Sequence, residues 1–468
     1  MTFSPPLNQI AFSVIDLRAT ERWFREGFGL LPAGGSRWMM RGPLAARVQG
    51  LPGAASTCWW LVGRNPWFQL ELFQFERPLA ELMPLDSRAC DIGYRRIGLW
   101  VADFNATLAR LQALGSPPLS AVLGRDGKRR ACVRNPDGVY VEIMEDDPLA
   151  TAAAAGRRDC PAAIRSVTMS VPDLDATARF MSSGIGIGDS DVALHTGEHE
   201  ALWRLAGART RSKVFVAGDV LVEAVQYLDP AGVLRPQGYR ISDQGILNIA
   251  FGARSKQDHT TVYQHACAAG ARPNCRPLHL PGLGAGVVYV NDPQNFSVEI
   301  LWLKPGRADR DWGFEPLPLG QRPDPDTHSV NHSATIHAPV ERVWAAVCDH
   351  EGMAKWSGFS PVTRIVDGAP EADGYGSARL MQGPTGKLVE QVIASDPPCS
   401  LRYRVIQGSP LRCHQGEVRL TPIGADTRLD WTIRFRPRIP GSGWVLRRVL
   451  QRMLAGMLPA LESYLKRH

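Results

Sequence analysis

An internal repeat constrains the fold of this chain more than any other feature. The segment FSVIDLRATERWF, which begins at Phe12, returns as MSVPDLDATARF from Met169. A second phrase, NPDGVYVEIME from Asn135, returns as DPQNFSVEILW from Asp292, and both pairs are offset by 157 residues. A fixed offset at both ends of a long span indicates two tandem copies of one domain, because chance similarity does not keep its spacing.

Each copy is itself double. The strand-to-helix phrase recurs in the first copy as LWVADFNATLARLQALG from Leu99, and its counterpart in the second copy is IAFGARSKQDHTTVYQHACAAG from Ile249. Every half-repeat opens with a short strand, passes a polar turn that can cap a helix, and closes with a strand that carries one carboxylate. Alternation along a strand places each carboxylate on the face opposite to its immediate neighbours. These carboxylates are Glu71, Glu142, Glu223 and Glu299.

The phrases S-V-x-D-L at the start of the repeats and N-P-D-G-x-x-x-E at the end of the first resemble the glyoxalase, bleomycin-resistance and extradiol-dioxygenase superfamily, also called vicinal oxygen chelate proteins. The resemblance covers residues 5–147 and 162–304. It implies that two βαβββ units pair their curved sheets into one cup, so that each repeat forms its own cup. We therefore predict two glyoxalase-like domains, over residues 1–150 and 160–305.

A different architecture is expected after the repeats. Residues 306–329 are rich in Pro and charge, which predicts a linker. The phrases ATIHAPVERVWAAVCD, AKWSGF and TRLDWTIRF, followed by a terminal amphipathic helix, resemble the polyketide-cyclase and lipid-transfer group of helix-grip proteins. This resemblance, over residues 330–468, implies a bent antiparallel sheet around the last helix, with a tunnel for a hydrophobic ligand. The fold class predicted for the whole chain is α+β.

The glyoxalase-type resemblance also implies where a metal would lie. The superfamily usually binds a divalent metal near the start of each half-repeat, where histidine is common, and at each closing glutamate. With one cup per repeat, the first cup presents Gln9, Glu71, Arg96 and Glu142, and the second presents Ser166, Glu223, Asn248 and Glu299. Histidine occupies none of these positions, so we expect no tightly bound metal cofactor and no iron dioxygenase chemistry.

Arg96 places a permanent positive charge at the expected metal position of the first cup. We expect its guanidinium to pair with Glu71 or Glu142. Two interpretations remain open. Together with Gln9, these residues form a clamp for an anionic or carbonyl group of a ligand, or the ion pair is purely structural and closes a cup that has lost its function.

In the second cup, Glu223 and Glu299 are expected to face one another beside the neutral Ser166 and Asn248. Repulsion and desolvation would raise the pKa of one carboxyl group, so that one glutamate acts as a general base and its partner as a general acid. Two alternatives are a weak, oxygen-only site for Mg²⁺ or Mn²⁺ at Glu223 and Glu299, and a purely structural role.

Two further regions carry candidate residues. The letters HTGEH from His195 to His199 match a zinc motif, but the Thr-Gly pair inside them favours a β-turn in a hairpin. In the helix-grip region, the candidates for a ligand cavity are Trp356, Tyr403 and Trp431. The apolar stripe of the terminal helix, which includes Val449, is expected to pack on its own sheet rather than on a membrane surface.

Composition excludes several classes of function. Most of the formal net charge of +7 lies beyond residue 330, and no long run of like charges occurs, which argues against nucleic-acid binding. The nine cysteines form no metal-like pair and are expected to be reduced thiols. Neither a signal peptide nor a stretch of 18 apolar residues is present in the sequence, so we expect a cytoplasmic location.

These features together predict a protein that binds a hydrophobic, oxygenated small molecule of polyketide, aromatic or steroid type. The favoured activity is a metal-independent isomerisation, cyclisation or hydration. A non-catalytic protein that sequesters or carries such a molecule is the first alternative, and a degenerate metal-dependent lyase or dioxygenase is the second. The sequence leaves the oligomeric state open.

Overall fold

The computed structural model describes residues 3–150, 156–157, 159–318, 320–383 and 386–467. The chain divides into two compact units, Met1–Pro323 and Asp324–His468. Sheets and helices occur in both units, as the predicted α+β class requires.

The described part of the first unit contains sixteen strands. The first repeat supplies β1 Leu7–Ser13, β2 Leu31–Ser36, β3 Ala55–Val62, β4 Gln69–Arg77, β5 Gly93–Val101, β6 Arg130–Arg134 and β7 Tyr140–Met144. The second repeat supplies β8 Ala162–Ser170, β9 Gly188–Asp189, β10 Arg209–Ala217, β11 Val220–Asp229, β12 Gly245–Ala253, β13 Arg272–Pro273, β14 Leu278–Leu280, β15 Ala285–Asn291 and β16 Ser297–Leu303.

The four helices that open the half-repeats begin where the sequence predicts caps. Asp16, Asp103 and Asp173 each accept a hydrogen bond from the backbone N–H three residues later, and Ser255 does the same for the fourth long helix. The helices are α1 Leu17–Phe28, α2 Gly42–Gln49, α3 Phe104–Ala113, α4 Leu174–Arg179, α5 Lys256–Ala268 and α6 Arg307–Asp311. A π-helical turn over Phe180–Ile185 extends α4, and 3₁₀ turns cover Gly197–Trp203 and Pro281–Leu283.

The two repeats exchange halves when their sheets form. Strand β1 pairs antiparallel with β12, with Ile10 opposite Ile249, and β5 pairs with β8, with Ile97 opposite Val167. One sheet therefore has the order β13-β15-β16-β12-β1-β4-β3-β2, with β14 paired to β15, and the other has the order β6-β7-β5-β8-β11-β10-β9. The prediction of one cup per repeat is wrong, because each sheet contains the first half of one repeat and the second half of the other.

A continuous hydrophobic core joins the exchanged halves into one unit. This core includes residues from Leu7 to Ile300. Within it, Phe12 and Trp23 make edge-to-face aromatic contacts with Phe24, and Phe28 packs against Phe24 with a tilted ring. Several cysteines lie buried within the unit, as expected for small apolar side chains: Cys58, Cys90, Cys132 and Cys160.

The first part of the predicted linker, 306–329, packs on this unit. Helix α6 begins at Arg307, the Phe314 side chain is buried, and the backbone N–H of Leu317 donates to the carbonyl oxygen of Pro32 at 2.7 Å. The linker prediction is wrong for this part, because its few apolar residues bury themselves although they lack a regular period.

The second unit is a single antiparallel sheet with two long helices. Its order is β17-β23-β22-β21-β20-β19-β18. The strands are β17 His328–Ile336, β18 Val362–Val366, β19 Ala378–Gly383, β20 Gly386–Asp396, β21 Ser400–Gln407, β22 Leu411–Ile423 and β23 Asp426–Pro437, and the helices are α7 Val340–Cys348 and α8 Gly443–Arg467, with a 3₁₀ turn over Gly352–Lys355.

Helix α8 packs on its own sheet through its C-terminal half. Leu454, Leu458 and Leu461 are buried in the core of the second unit. The N-terminal turns differ from the prediction, since Val449 is 53% exposed and the neighbouring Trp444 is 69% exposed. The apolar stripe is longer than the surface that the sheet offers to it.

Candidate functional site

The exchange of halves regroups the eight predicted site residues. Gln9 on β1, Glu71 on β4, Asn248 on β12 and Glu299 on β16 belong to neighbouring strands of one sheet. Arg96, Glu142, Ser166 and Glu223 lie on the central strands of the other sheet. Glu223 and Glu299 therefore do not face one another, and the predicted catalytic pair is wrong. The partner of Glu299 is Glu71.

A cavity of about 300 Å³ opens above the first of these groups. We call it the apolar pocket, because its wall is predominantly apolar around two carboxyl groups. Besides Gln9, Gln69, Glu71 and Glu299, the lining residues include Met40, Val48, Trp60, Phe73, Leu278, Leu301, Trp312 and Phe314. A small-molecule site typically combines such a wall with a few polar groups.

Glu71 is buried at the floor of the apolar pocket. The indole N–H of Trp60 donates to its Oε1 at 2.9 Å, and the thiol of Cys58 donates to the same oxygen at 3.1 Å. Burial raises the pKa of Glu71 to about 7, although these two hydrogen bonds oppose the rise. Since both donors favour the ionised form, Glu71 is the carboxyl group of the pair that is better prepared to carry negative charge.

Glu299 is buried opposite this group. Desolvation and the nearby charge of Glu71 together raise the pKa of Glu299 to about 8, although hydrogen bonds with Tyr289 and Asn248 oppose the rise. The Asn248 amide nitrogen lies 3.5 Å from Oε2 of Glu299. Two carboxyl groups whose pKa values are both raised near neutrality hold a proton between them more readily than two negative charges.

The donor set of the apolar pocket also limits which metal it could hold. Within the described residues, the side-chain oxygens of Gln9 and Asn248 are buried without a hydrogen-bond partner. With Glu71 and Glu299 they offer only oxygen ligands, which fit Mg²⁺ or Mn²⁺ and not the nitrogen and sulfur preferences of zinc. A cation held by these four residues would polarise a ligand carbonyl group.

The second group of residues forms a different kind of site, which we call the charged cup. It consists of Arg96, Glu142, Ser166 and Glu223, with His195 inserted between the two carboxylates. His195 Nε2 lies 2.8 Å from Glu142, and Nδ1 lies 2.8 Å from Glu223. These contacts place an imidazole at the centre of the cup, where the family resemblance implies a metal.

Cations close the charged cup on both sides. Arg96 donates to Glu223 at 3.0 Å and stacks on Trp203, with its guanidinium carbon 3.5 Å from the ring centroid. Arg130 donates to Glu142 at 3.0 Å. Despite burial, the neighbouring Glu142 and Glu223 raise the pKa of His195 to about 9, so that the imidazole is a cation at neutral pH.

The carboxylates of the charged cup have the opposite behaviour to those of the apolar pocket. Burial alone would raise the pKa of both carboxyl groups. Instead, His195 and Arg96 lower the pKa of Glu223 to about 2. His195 and Arg130 likewise hold the pKa of Glu142 well below its usual range. Arg96 does form an ion pair, but with Glu223 and not with the predicted Glu71 or Glu142. Ser166, on β8 opposite Gly98 of β5, is buried beside this network.

Sequence reasoning missed the role of His195. The HTGEH segment is not a hairpin turn, because the loop that carries His195 runs into the 3₁₀ turn Gly197–Trp203. No family position marks this residue, and its two partners come from different repeats. Within the described residues, no group of three or more His, Cys, Asp or Glu side chains is arranged to bind a metal ion.

In the second unit, Trp356, Tyr403 and Trp431 lie in the hydrophobic core. The indole N–H of Trp431 donates to the Tyr403 hydroxyl at 2.9 Å, whereas the indole N–H of Trp356 is buried without a partner in the described part of the chain. A buried ion pair that the sequence did not reveal lies on the same sheet, where Arg379 donates to Glu390 at 2.7 Å.

Comparisons with protein families match two segments of the chain. Residues 8–133 match the family described as glyoxalase/bleomycin resistance protein/dioxygenase superfamily, and residues 327–466 match the family described as polyketide cyclase/dehydrase and lipid transport. The first segment contains the phrase that begins at Phe12 but ends before the phrase at Asn135 and before the second repeat, whereas the second segment contains the three helix-grip phrases. Among curated proteins, no significant match was found.

Solved structures similar to the chain fall into the same two groups. Glyoxalase I from Zea mays is 15% identical, with 64% of this chain and 92% of that chain covered at a TM-score of 0.43. A putative dioxygenase from Bacillus subtilis subsp. subtilis str. 168 is 13% identical (67% and 91% covered, TM-score 0.45). The Zhui aromatase/cyclase from Streptomyces sp. R1128 is 22% identical (30% and 94% covered, TM-score 0.27). Likeness at this level extends neither to a reaction nor to a ligand.

Of the helices in the described ranges, none combines the length and apolar character needed to cross a membrane.

Proposed function

We propose that the apolar pocket catalyses acid–base chemistry on an apolar, carbonyl-bearing small molecule, in a chain with one segment that matches the glyoxalase/bleomycin resistance protein/dioxygenase superfamily and one that matches the polyketide cyclase/dehydrase family. The observation that carries this proposal is the pair Glu71 and Glu299. Both are buried in a largely apolar cavity of about 300 Å³, and burial raises the pKa of both carboxyl groups toward neutrality. General acid–base catalysis is most efficient when the pKa lies near the working pH.

The hydrogen bonds around the pair assign a role to each carboxyl group. Glu71 accepts from Trp60 and Cys58, so it is the carboxylate that removes a proton from the carbon next to the ligand carbonyl. Glu299, which has the higher pKa, keeps the shared proton and donates it to the carbonyl oxygen as the enol forms. When a carbon–carbon double bond lies next to the α-carbon, Glu71 returns its proton to the far end of the dienol while Glu299 takes back the hydroxyl proton, so the carbonyl re-forms, the isomerisation is complete and no other reactant is consumed.

The wall of the pocket supports the choice of ligand class. Apolar side chains such as Phe73, Leu278 and Leu301 surround the carboxyl pair, so a molecule with little charge and one oxygen function fits the surface best. Exclusion of water by such a wall also keeps both carboxyl groups at their raised pKa.

The test uses 2-tetralone, a bicyclic ketone, in D₂O. Wild-type protein is expected to exchange its α-hydrogens for deuterium, measured by NMR, faster than buffer alone. Glu71→Gln and Glu299→Gln should each slow exchange about 100-fold, because each removes one proton-transfer group and keeps the side-chain shape. Glu198→Gln, at an exposed glutamate, is the matched control and should leave the rate unchanged.

Two outcomes contradict the proposal. If both variants at the carboxyl pair keep the wild-type rate, the pair is not the base and acid. Binding of 2-tetralone without exchange above the buffer rate would instead favour the alternative function, a protein that sequesters or carries an apolar molecule.

For the second unit we propose a hydrophobic ligand in the interior of the helix-grip sheet, beside Trp356, Tyr403 and Trp431. The buried, unpartnered indole N–H of Trp356 supports this, since a ligand oxygen would satisfy it. Trp356→Phe removes the indole N–H and keeps an aromatic ring. The variant should bind an added apolar ketone more weakly, as measured by the quenching of tryptophan fluorescence. Equal affinity in the variant would contradict a role for this donor.

A further inference from the structure

A second cavity of the first unit, of about 220 Å³, shares no lining residue with the apolar pocket. It lies between the two segments that connect half-repeats, 78–92 between β4 and β5 and 230–244 between β11 and β12. We call it the junction pocket. Its wall includes Met83, Ile92, Tyr94, Arg95, Arg235 and Tyr239.

Two arginines converge in the junction pocket. A methyl group added at Gly93 would lie 3.3 Å from Nε of Arg95 and 3.7 Å from Nε of Arg235, so both guanidinium groups approach the same point of the backbone. Burial lowers the pKa of Arg95, and the positive charge of Arg235 lowers it further, whereas the negative charge of Asp91 raises it. Two like charges that meet in one cavity attract an anion between them.

Neither arginine has a carboxylate partner within the described residues. Arg95 donates to the carbonyl oxygens of Asp91 and Ile92, at 2.7 and 3.2 Å, and to the hydroxyl of Ser87 at 3.0 Å. Arg235 donates only from Nη1, to the carbonyl oxygen of Asn295 at 2.9 Å. Nε and Nη2 of Arg235 consequently remain available to a ligand.

The carboxylates nearest to the pocket are already bound by another cation. Arg240 lies 3.0 Å from Asp243 and 3.5 Å from Glu81, the two acidic residues of the pocket wall. Asp91, at the base, accepts from Arg88 at 3.0 Å. Arg95 and Arg235 therefore make no direct ion pair in the described part of the chain, although Asp91 and Asp292 act on them electrostatically at longer range.

The geometry of Arg235 is fixed by aromatic rings. Its guanidinium carbon lies 4.3 Å from the ring centroid of Phe296 and 4.7 Å from that of Tyr239. Cation–π contacts on this planar group hold its donors in one plane, which suits an oxyanion with two acceptor oxygens.

The symmetry of the repeats supports a specific role. Strands β5 and β12 are equivalent, and both open with a glycine of positive φ, Gly93 and Gly245. Counted from these glycines, the position of Arg95 in β5 corresponds to Leu247 in β12, a buried core residue. The arginine is thus a local departure from the repeat pattern and is not required by the fold of a half-repeat.

We propose that the junction pocket binds a small organic oxyanion, a carboxylate or a phosphate ester, between Arg95 and Arg235. The ligand lies apart from the carboxyl pair of the apolar pocket, so the site is independent of the proposed reaction. The apolar part of the ligand contacts side chains such as Met83 and Ile92, and its oxygens accept from the free N–H groups of the two arginines.

Isothermal titration calorimetry on the full chain tests this with benzoate and phenyl phosphate, which share a ring and differ in their anionic group. We expect saturable binding of at least one probe, and the tighter probe identifies the class of anion. Arg235→Gln should weaken binding about 10-fold or more, because it removes a charge-assisted pair of donors. Arg22→Gln, at an exposed arginine of α1, is the control for net charge and should bind as the wild type does.

Arg95→Lys provides a second variant in case Arg235→Gln fails to fold, since it keeps the charge and removes the planar donor group. Weaker binding in this variant also supports the site. Absence of saturable binding for both probes, or wild-type affinity in every folded variant at Arg95 and Arg235, overturns the proposal.

Discussion

The apolar pocket and the charged cup are built from equivalent strands and differ in charge balance. Each contains two buried glutamates at the same positions of the half-repeats, Glu71 and Glu299 in one and Glu142 and Glu223 in the other. Only the charged cup adds cations, namely Arg96, Arg130 and His195. The same scaffold becomes a closed structural network when cations neutralise its carboxylates, and a cavity with proton-holding groups when no cation does.

The largest expected effect is on the free energy of unfolding, which a Glu→Gln substitution should lower in the charged cup but not in the apolar pocket. Glu223→Gln should lower the free energy of unfolding by about 3 kcal/mol or more, because Arg96 and His195 lose a buried counter-charge. Glu299→Gln should leave the free energy unchanged or raise it by up to about 1 kcal/mol, because the repulsion from Glu71 disappears. Urea denaturation at pH 7 measures both. Equal losses in the two variants would contradict the distinction between the cups.

A smaller loss is expected when a cation of the charged cup is replaced. Arg96→Met should lower the free energy of unfolding by about 2 to 3 kcal/mol, because the ion pair with Glu223 and the guanidinium stacking on Trp203 are lost, while Glu223 keeps its contacts with His195 and Thr168. The matched change at an exposed site, Arg22→Met, should stay within about 0.5 kcal/mol. An unchanged stability of Arg96→Met would show that the buried ion pair contributes nothing net.

The smallest expected effects are two separate slopes of stability against pH. In the apolar pocket the folded pKa values of Glu71 and Glu299 lie above their ordinary value of 4.5, so the folded state binds more protons. Their contribution is complete below pH 4.5 and is lost as pH rises through about 7 to 8. Glu299→Gln should therefore flatten the fall in unfolding free energy over this window.

The charged cup gives a slope at higher pH. The folded pKa of His195 is about 9 against 6.5, so its contribution is complete below pH 6.5 and is lost as pH rises through about 9. His195→Gln should remove this part of the slope and leave the lower window intact. Denaturation curves between pH 4.5 and 9.5 separate the two, and loss of both windows in one variant would show that the sites are coupled.

Much of the fold follows from local sequence. The caps at Asp16, Asp103 and Asp173 and the closing strands with their glutamates were predicted, because capping and alternation depend on near neighbours. The exchange of halves between the repeats was not predicted. Strand β1 has the same sequence pattern as β5, β8 and β12, so any two of these strands can form the central antiparallel pair. The choice among them depends on the path of the connecting segments, which local patterns do not encode.

The site was predicted residue by residue but not as a set. Glu71, Glu299 and Asn248 were all named as candidates, yet the pairing of Glu299 with Glu223 was wrong because it followed from one cup per repeat. His195 lies in a loop without strand or helix periodicity, so no pattern indicated that its ring fills the charged cup. The arginine pair of the junction pocket was not predicted either, because Arg95 and Arg235 are far apart in the sequence and come together only in the folded structure.

The proposed acid–base function requires that Glu71 and Glu299 share a proton near neutral pH in the apolar pocket. Carbon-13 NMR of protein labelled at the glutamate carboxyl carbon measures this directly, with Glu71→Gln and Glu299→Gln used to assign the two resonances. We expect both resonances to titrate well above pH 6, and the pKa of the remaining carboxyl group to fall when its partner is replaced by Gln, because the repulsion between the two groups is gone. Titration of both resonances below pH 5 would show that the two carboxyl groups share no proton near neutral pH.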